Sequence, residues 1–201
     1  MDIFTTIYKN NGWGSKESVS GTGSELMQTL KLRHNLIELI KKYNIKSILD
    51  GACGDFNWFK EIIKEVPIKY IGYDIVSDLI TSNIKKYANE NVRFVNFDII
   101  NDPLIESDLM IVRDCLVHLS YTDINKFIIN LKKSNIKYLL TTSFFNFENY
   151  DINTGSWRPL CLTKPPFNYD KYLEVINEGC TENEGKYIDK SLILYEVCND
   201  F

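Results

Sequence analysis

Three short apolar runs, each closed by an aspartate, limit what this chain can fold into. Ser47-Ile-Leu-Asp50, Ile68-Lys-Tyr-Ile-Gly-Tyr-Asp74 and Asn91-Val-Arg-Phe-Val-Asn-Phe-Asp98 place their acids 24 residues apart. Runs of this length, rich in β-branched and aromatic residues, read as strands. Between the second and third, Leu79, Ile80, Ile84 and Tyr87 recur at helical spacing. Strand and helix in alternation mean an α/β chain with a parallel sheet. After the first acid come Gly51, Ala52, Cys53, Gly54 and Asp55. This small-residue turn lets a ligand approach the backbone and opens a helix whose first N–H groups are free. The G-x-G-x-x-G pattern of nicotinamide cofactors is absent, because only Gly51 and Gly54 stand here.

In such a nucleotide-binding unit the second acid, Asp74 with Ile75 behind it, accepts both ribose hydroxyls; otherwise it is an exposed loop acid. Asp98 accepts from the adenine amino group while the Ile99 N–H donates to the ring, or it is a turn acid. Asp108 to Arg113 and Ile136 to Thr142 read as the fourth and fifth strands, with a helix from Ser120 and Asp123 between them. Tyr172 to Ile176 and Lys190 to Val197 read as a closing β hairpin.

With 201 residues, 44% hydrophobic and 25% charged, the chain is expected to be one soluble domain rather than a disordered one. Its net charge of −4 argues against strong binding to duplex nucleic acid, which wants a basic face. Five scattered cysteines without C-x-x-C spacing suit a reduced, cytoplasmic protein without a structural zinc or other metal. No apolar run approaches the roughly 20 residues that span a bilayer, so no membrane role is expected.

The expected segments are an N-terminal arm over 1–21, a helix over 22–43, a core over 44–142, an aromatic loop over 143–169 and the hairpin over 170–201. The arm holds Trp13 among glycines and is either a mobile tail or a lid over a ligand. Thr22 and Glu25 have capping-box spacing, and Leu26, Leu30, Ile37 and Ile40 mark the apolar face of the helix that follows. Arg33 is either a snorkelling rim residue or a carboxylate partner. The 143–169 loop, with Phe144, Phe145, Phe147, Tyr150 and Trp157, is too long to be idle and is a candidate substrate cover.

Five strand–helix repeats, a closing hairpin and three strand-tip acids resemble the class I S-adenosylmethionine-dependent methyltransferases. The first motif, Asp50-Gly-Ala-Cys-Gly-Asp55, keeps the first half of that family's D-x-G-x-G-x-G pattern, with Ala52 and Phe56 as departures. The strings Ser18 to Ser24, Arg113 to Ser120 and Trp157 to Leu160 also resemble a compact methyltransferase family of bacteria and large viruses. The resemblance implies a Rossmann-like seven-stranded sheet of order 3-2-1-4-5-7-6, the last strand antiparallel, with helices on both faces. It implies S-adenosyl-L-methionine as cofactor, its methionine part beside Gly51 to Asp55. It also implies that Arg33 pairs with the cofactor carboxylate and that the backbone at Arg113 holds its amino group.

Methyl transfer from a sulfonium is an in-line displacement, in which the protein supplies alignment and a place for the acceptor's proton. His118 and Asp114, just past the fourth strand, are the candidate catalytic residues: His118 is a base or a loop tie, Asp114 a base, a substrate anchor or a loop acid. Trp13, Trp157 and Arg158 are the candidate substrate contacts. Arg158 beside an aromatic wall suits an anionic or sugar-bearing acceptor, or else bridges the loop to the core. The expected reaction is methylation of a small-molecule or saccharide acceptor, most simply at oxygen. The alternatives are an RNA or protein side-chain acceptor, or a cofactor-binding partner subunit without activity. The sequence leaves the oligomeric state open.

Overall fold

A computed structural model describes residues 3–201; residues 1 and 2 of the expected arm lie outside the described residues. Seven strands form one sheet in the order β3-β2-β1-β4-β5-β7-β6. They are β1 (Ser47–Gly51), β2 (Lys69–Asp74), β3 (Val92–Asn96), β4 (Ser107–Val112), β5 (Ile136–Ser143), β6 (Glu174–Asn177) and β7 (Ser191–Glu196). The first five run parallel, and β7 lies antiparallel to both β5 and β6. Around the sheet lie α1 (Ile3–Lys9), α2 (Leu30–Lys42), α3 (Phe59–Ile63), α4 (Ser77–Tyr87), α5 (Tyr121–Lys132) and α6 (Val197–Asp200).

The central strands are apolar on both faces, as a parallel sheet under helices must be. Ile48, Leu109, Ile111 and Leu140 point to one side, against Leu36 and Leu39 of α2 and Phe59 and Ile62 of α3. Their neighbours Leu49, Met110, Val112 and Leu139 point to the other, against Ile124, Phe127 and Leu131 of α5. Each such side chain taken out of water contributes about 1.5–3 kcal/mol. Among the described residues, no helix is long and apolar enough to cross a membrane.

Two expectations fail locally. The helix expected from Thr22 starts at Leu30, after a single 3-10 turn over Thr22–Ser24. The capping box does not form because both partners are engaged elsewhere: Thr22 Oγ1 donates to Glu182 at 2.6 Å, and Glu25 accepts from Ser15 Oγ at 2.8 Å. The buried stripe of α2 is accordingly Leu32, Leu36, Leu39 and Ile40, while Leu30 is exposed. The helix expected to open directly from the small-residue turn starts only at Phe59, because Gly54 and Phe56 both hold positive φ and a further turn precedes it.

Candidate active site

A cavity of about 390 Å³ opens at the C-terminal ends of β1, β2 and β4, where open α/β sheets bind ligands. Asp50, Asp74 and Asp98 all line it, along with Ala52, Cys53, Gly54, Asp55, Ile75, Ile99 and Arg113. Gly51 stands behind this wall, and a Cβ there would come within 2.8 Å of Ile99 Cγ2. Asp74 is fixed by the turn after β1 and by its own, accepting from the N–H of Gly54 at 3.1 Å and of Val76 at 3.0 Å. Asp98 accepts from the Ile100 N–H at 2.9 Å and from Asn101 Nδ2 at 2.7 Å. Tyr73 and Phe97 stack at 3.9 Å between the two acids and give the cavity an apolar floor. Asp50 is buried and accepts from the Tyr70 hydroxyl at 2.7 Å. Burial pushes its carboxyl up to about 7, against the pull of that hydroxyl and of Arg113.

The N-terminal arm is built into this site. Asp55 accepts from Ser18 Oγ at 2.9 Å and from the Val19 N–H at 3.0 Å, so the first motif fastens the arm. Gly54 is required there: it has φ +56°, and a Cβ would run into Ser20 Oγ. Thr22, Gly23 and Ser24 are thereby set on the cavity wall, while Phe4 and Trp13 pack against the His118 ring.

His118 ends a 3-10 turn over Leu116–His118. Its Nδ1 lies 2.8 Å from the Ser156 carbonyl oxygen. A carbonyl only accepts, so Nδ1 carries the proton and Nε2 keeps its lone pair, on a ring that lines the cavity. Burial holds the imidazole pKa below its ordinary value, outweighing the Ser156 contact and the nearby Asp114 charge. The result is a neutral ring at neutral pH with one basic nitrogen available. His34, by contrast, is an exposed residue of α2.

For three of the sequence's candidates the contacts favour the structural alternative over the functional one. Asp114 is no base: Lys190 Nζ lies 2.6 Å and Arg113 Nη1 3.3 Å from its Oδ2. Burial alone would raise its pKa, but those two charges outweigh it and hold the carboxyl well below the usual range. Arg33 is not among the residues lining the cavity. It donates from Nη2 to the Leu26 carbonyl at 3.0 Å and braces the turn before α2. Arg158 is fully buried and likewise absent from the lining. Its guanidinium donates to the carbonyls of Leu116 at 3.1 Å, Val117 at 3.0 Å and Leu119 at 2.9 Å. It therefore ties the aromatic loop to the turn that carries His118. Trp157 lines the cavity, with Phe144 and Tyr187 edge-on to it at 6.0 and 5.2 Å.

Two residues that sequence reasoning misses fix the charges at the site, Lys190 on the cavity wall and Glu178 buried behind it. Glu178 receives a forked contact from Arg113, 2.7 Å at Nη2 and 3.2 Å at Nε, and Lys190 closes the cluster on Asp114. All but Asp114 are nearly or fully buried. The only hint in the sequence is a lysine directly before an apolar strand. Cys115 also lines the cavity, but burial pushes its thiol up to about 12 and leaves it a poor nucleophile at neutral pH. No cluster of His, Cys, Asp and Glu able to hold a metal occurs among the described residues.

No family profile and no curated protein matches the chain by sequence. Solved structures do match in shape. The N-methyltransferase NodS from Bradyrhizobium japonicum, in complex with S-adenosyl-L-homocysteine, superposes with TM-score 0.69 at 12% identity over 97% of this chain and 98% of its own. Human N-acetylserotonin methyltransferase, in complex with S-adenosylmethionine, gives 0.67 at 14% identity over 97% of this chain, which spans 59% of the human one. Magnesium protoporphyrin IX methyltransferase from Synechocystis, with bound S-adenosyl-L-homocysteine, gives 0.63 at 10% identity, covering 96% of this chain and 95% of that one. Strand order, the antiparallel seventh strand and these superpositions agree: the chain has the Rossmann-like fold of the class I S-adenosylmethionine-dependent methyltransferases.

Proposed function

We propose that this protein is an enzyme that transfers a methyl group from S-adenosylmethionine to a small-molecule or saccharide acceptor, at oxygen. The observation that carries this reading is the convergence of Asp50, Asp74, Asp98 and the His118 ring on one cavity. The cavity chemistry fits the cofactor. Asp74 offers carboxylate oxygens to a ribose, and the Ile99 N–H stands beside Asp98 for an adenine edge. Tyr73, Phe97 and Ile75 supply apolar surface for a base. With Arg33 outside the cavity, Thr22, Gly23 and Ser24 on the same wall offer the zwitterionic methionine end of the cofactor backbone and hydroxyl groups instead of a cation, and the Glu182 carboxylate beside them suits its ammonium. When bound, S-adenosylmethionine supplies an electrophilic methyl group on a sulfonium, a cation that an acid-lined cavity favours.

The remaining work falls to the chain's own residues. Ser156 holds the His118 tautomer, Arg158 holds the turn beneath it, and Nε2 takes the acceptor's proton. Phe4, Trp13, Phe144, Trp157 and Tyr187 enclose the acceptor side and exclude water. The structural neighbours are named for different acceptors, so the oxygen acceptor rests on His118 and not on the fold.

Titration calorimetry with S-adenosylhomocysteine tests the cofactor half. Binding is expected, and Asp74→Ala should weaken it by about 1–3 kcal/mol, the loss of a charged hydrogen bond. No heat and no thermal shift with the unaltered protein would end the proposal.

A further inference from the structure

We infer that the acceptor is an uncharged, hydroxyl-bearing molecule with a flat face, and that phosphorylated or carboxylated acceptors are turned away; this rests on the methyl-transfer reading above. The lysine and arginine residues lining the cavity are Arg113 and Lys190 alone among the described residues. Neither is available to an anion. Arg113 spends its donors on Glu178 and on the Gly23 carbonyl, and Lys190 sits between Asp114 and Glu178 at 2.6 and 3.7 Å.

Arg158, the remaining arginine beside the aromatic wall, is turned inward onto three carbonyls. The charge left over is negative. Glu182 lines the cavity, accepting from Thr22 Oγ1 at 2.6 Å, with its nearest cation, Lys190, 3.8 Å away and already shared between the two other acids. Asp55, Asp74 and Asp98 add to it from the cofactor side. A phosphate or carboxylate entering here would lose its water and meet like charge, with no cation to replace the lost solvation.

What the cavity offers instead is aromatic surface with polar rims. Trp157, Tyr187 and Phe144 form one wall, and Trp13 and His118 the other. Flat C–H or π faces stack on such walls without needing a charge. Asn183 and Tyr8 also line the cavity, and an amide and a phenol hydroxyl suit a hydroxyl-rich ligand. As the O–CH3 bond forms and the sulfonium S–CH3 bond breaks, the hydroxyl proton passes to His118 Nε2. The products are a methyl ether and S-adenosylhomocysteine, and the proton then leaves to solvent.

The test uses the full chain, methyl-labelled S-adenosylmethionine and a library of matched pairs. Each neutral phenol, glycoside or polyol is paired with its own phosphate ester or carboxylate, and labelled products are separated on an anion exchanger. The expected result is label in neutral members, at least tenfold over their charged partners. In Glu182→Gln, which removes the charge and keeps an acceptor for Thr22 Oγ1, that ratio should fall severalfold. Label in the anionic members at an equal or greater rate overturns the inference. So does the absence of label from every pair while S-adenosylhomocysteine still binds. Failure of that binding in the unaltered protein would instead sink the methyl-transfer reading itself.

Discussion

Lys190 Nζ sits 2.6 Å from Asp114 Oδ2, so the residue before the last strand neutralises the residue just past the fourth. The contact joins the C-terminal hairpin to the segment that carries His118. Burial acts to lower the Lys190 pKa, yet Asp114 and Glu178 outweigh it and keep the ammonium charged.

Removing that cation should be costly. Lys190→Met leaves Asp114 short of its closest partner and Glu178 with only Arg113, and about 3–5 kcal/mol of folding stability should be lost. Urea denaturation checks this. The double variant Lys190→Met, Asp114→Asn should recover part of the loss; an unchanged urea midpoint in the single variant would contradict the cluster's role.

Arg158→Leu strips the donors from the carbonyls of Leu116, Val117 and Leu119. A loss of roughly 3 kcal/mol in stability is expected. Because the same turn holds His118, methyl transfer should fall more than S-adenosylhomocysteine affinity does. Equal losses in both would mean that Arg158 only stabilises the fold.

The pH profile follows from His118. Its pKa is lowered by burial, so activity should hold as pH falls past about 6.5, the ordinary value, and drop only at lower pH as Nε2 is protonated. His118→Gln should abolish that acid limb along with most of the rate. For stability the sign is the same: the folded state disfavours the proton. The histidine's contribution is full above the unfolded pKa and is lost as pH falls through the folded one.

Asp50 works in the opposite sense. With its folded pKa raised to about 7, the folded state prefers the protonated acid. The stability this brings is complete below the unfolded pKa and is lost as pH rises through about 7. Asp50→Asn keeps an acceptor for the Tyr70 hydroxyl and removes the ionisation. Its melting temperature should exceed that of the unaltered protein at about pH 8, by the equivalent of a few kcal/mol, and match it near about pH 4. A variant less stable at both pH values would rule out a buried, raised Asp50.

The sheet and its strand-tip acids were legible because they are written in local pattern. A strand's apolar run, the turn that ends it and the helix behind it span a few tens of residues, and each piece prefers its conformation from neighbours in sequence. Ser120 shows the same economy: it caps α5 by accepting from the Asp123 N–H, three residues on. The apolar positions of β1, β4 and β5 likewise follow from the need to bury both faces of a parallel sheet.

Which of their alternative roles Arg33, Asp114 and Arg158 take was not legible, since a charged side chain's role depends on what faces it. Asp114 meets its lysine 76 residues away, Arg113 its glutamate 65 away, and Arg158 the Leu119 carbonyl 39 away. No periodicity encodes those distances. The order of elements, and hence the cavity at the strand ends, came from the chain's own local preferences. Which charges in that cavity stay free to meet a ligand was decided only when the sheet closed and brought remote groups within reach of one another, where a partner at hydrogen-bond distance outweighs the cost of burial.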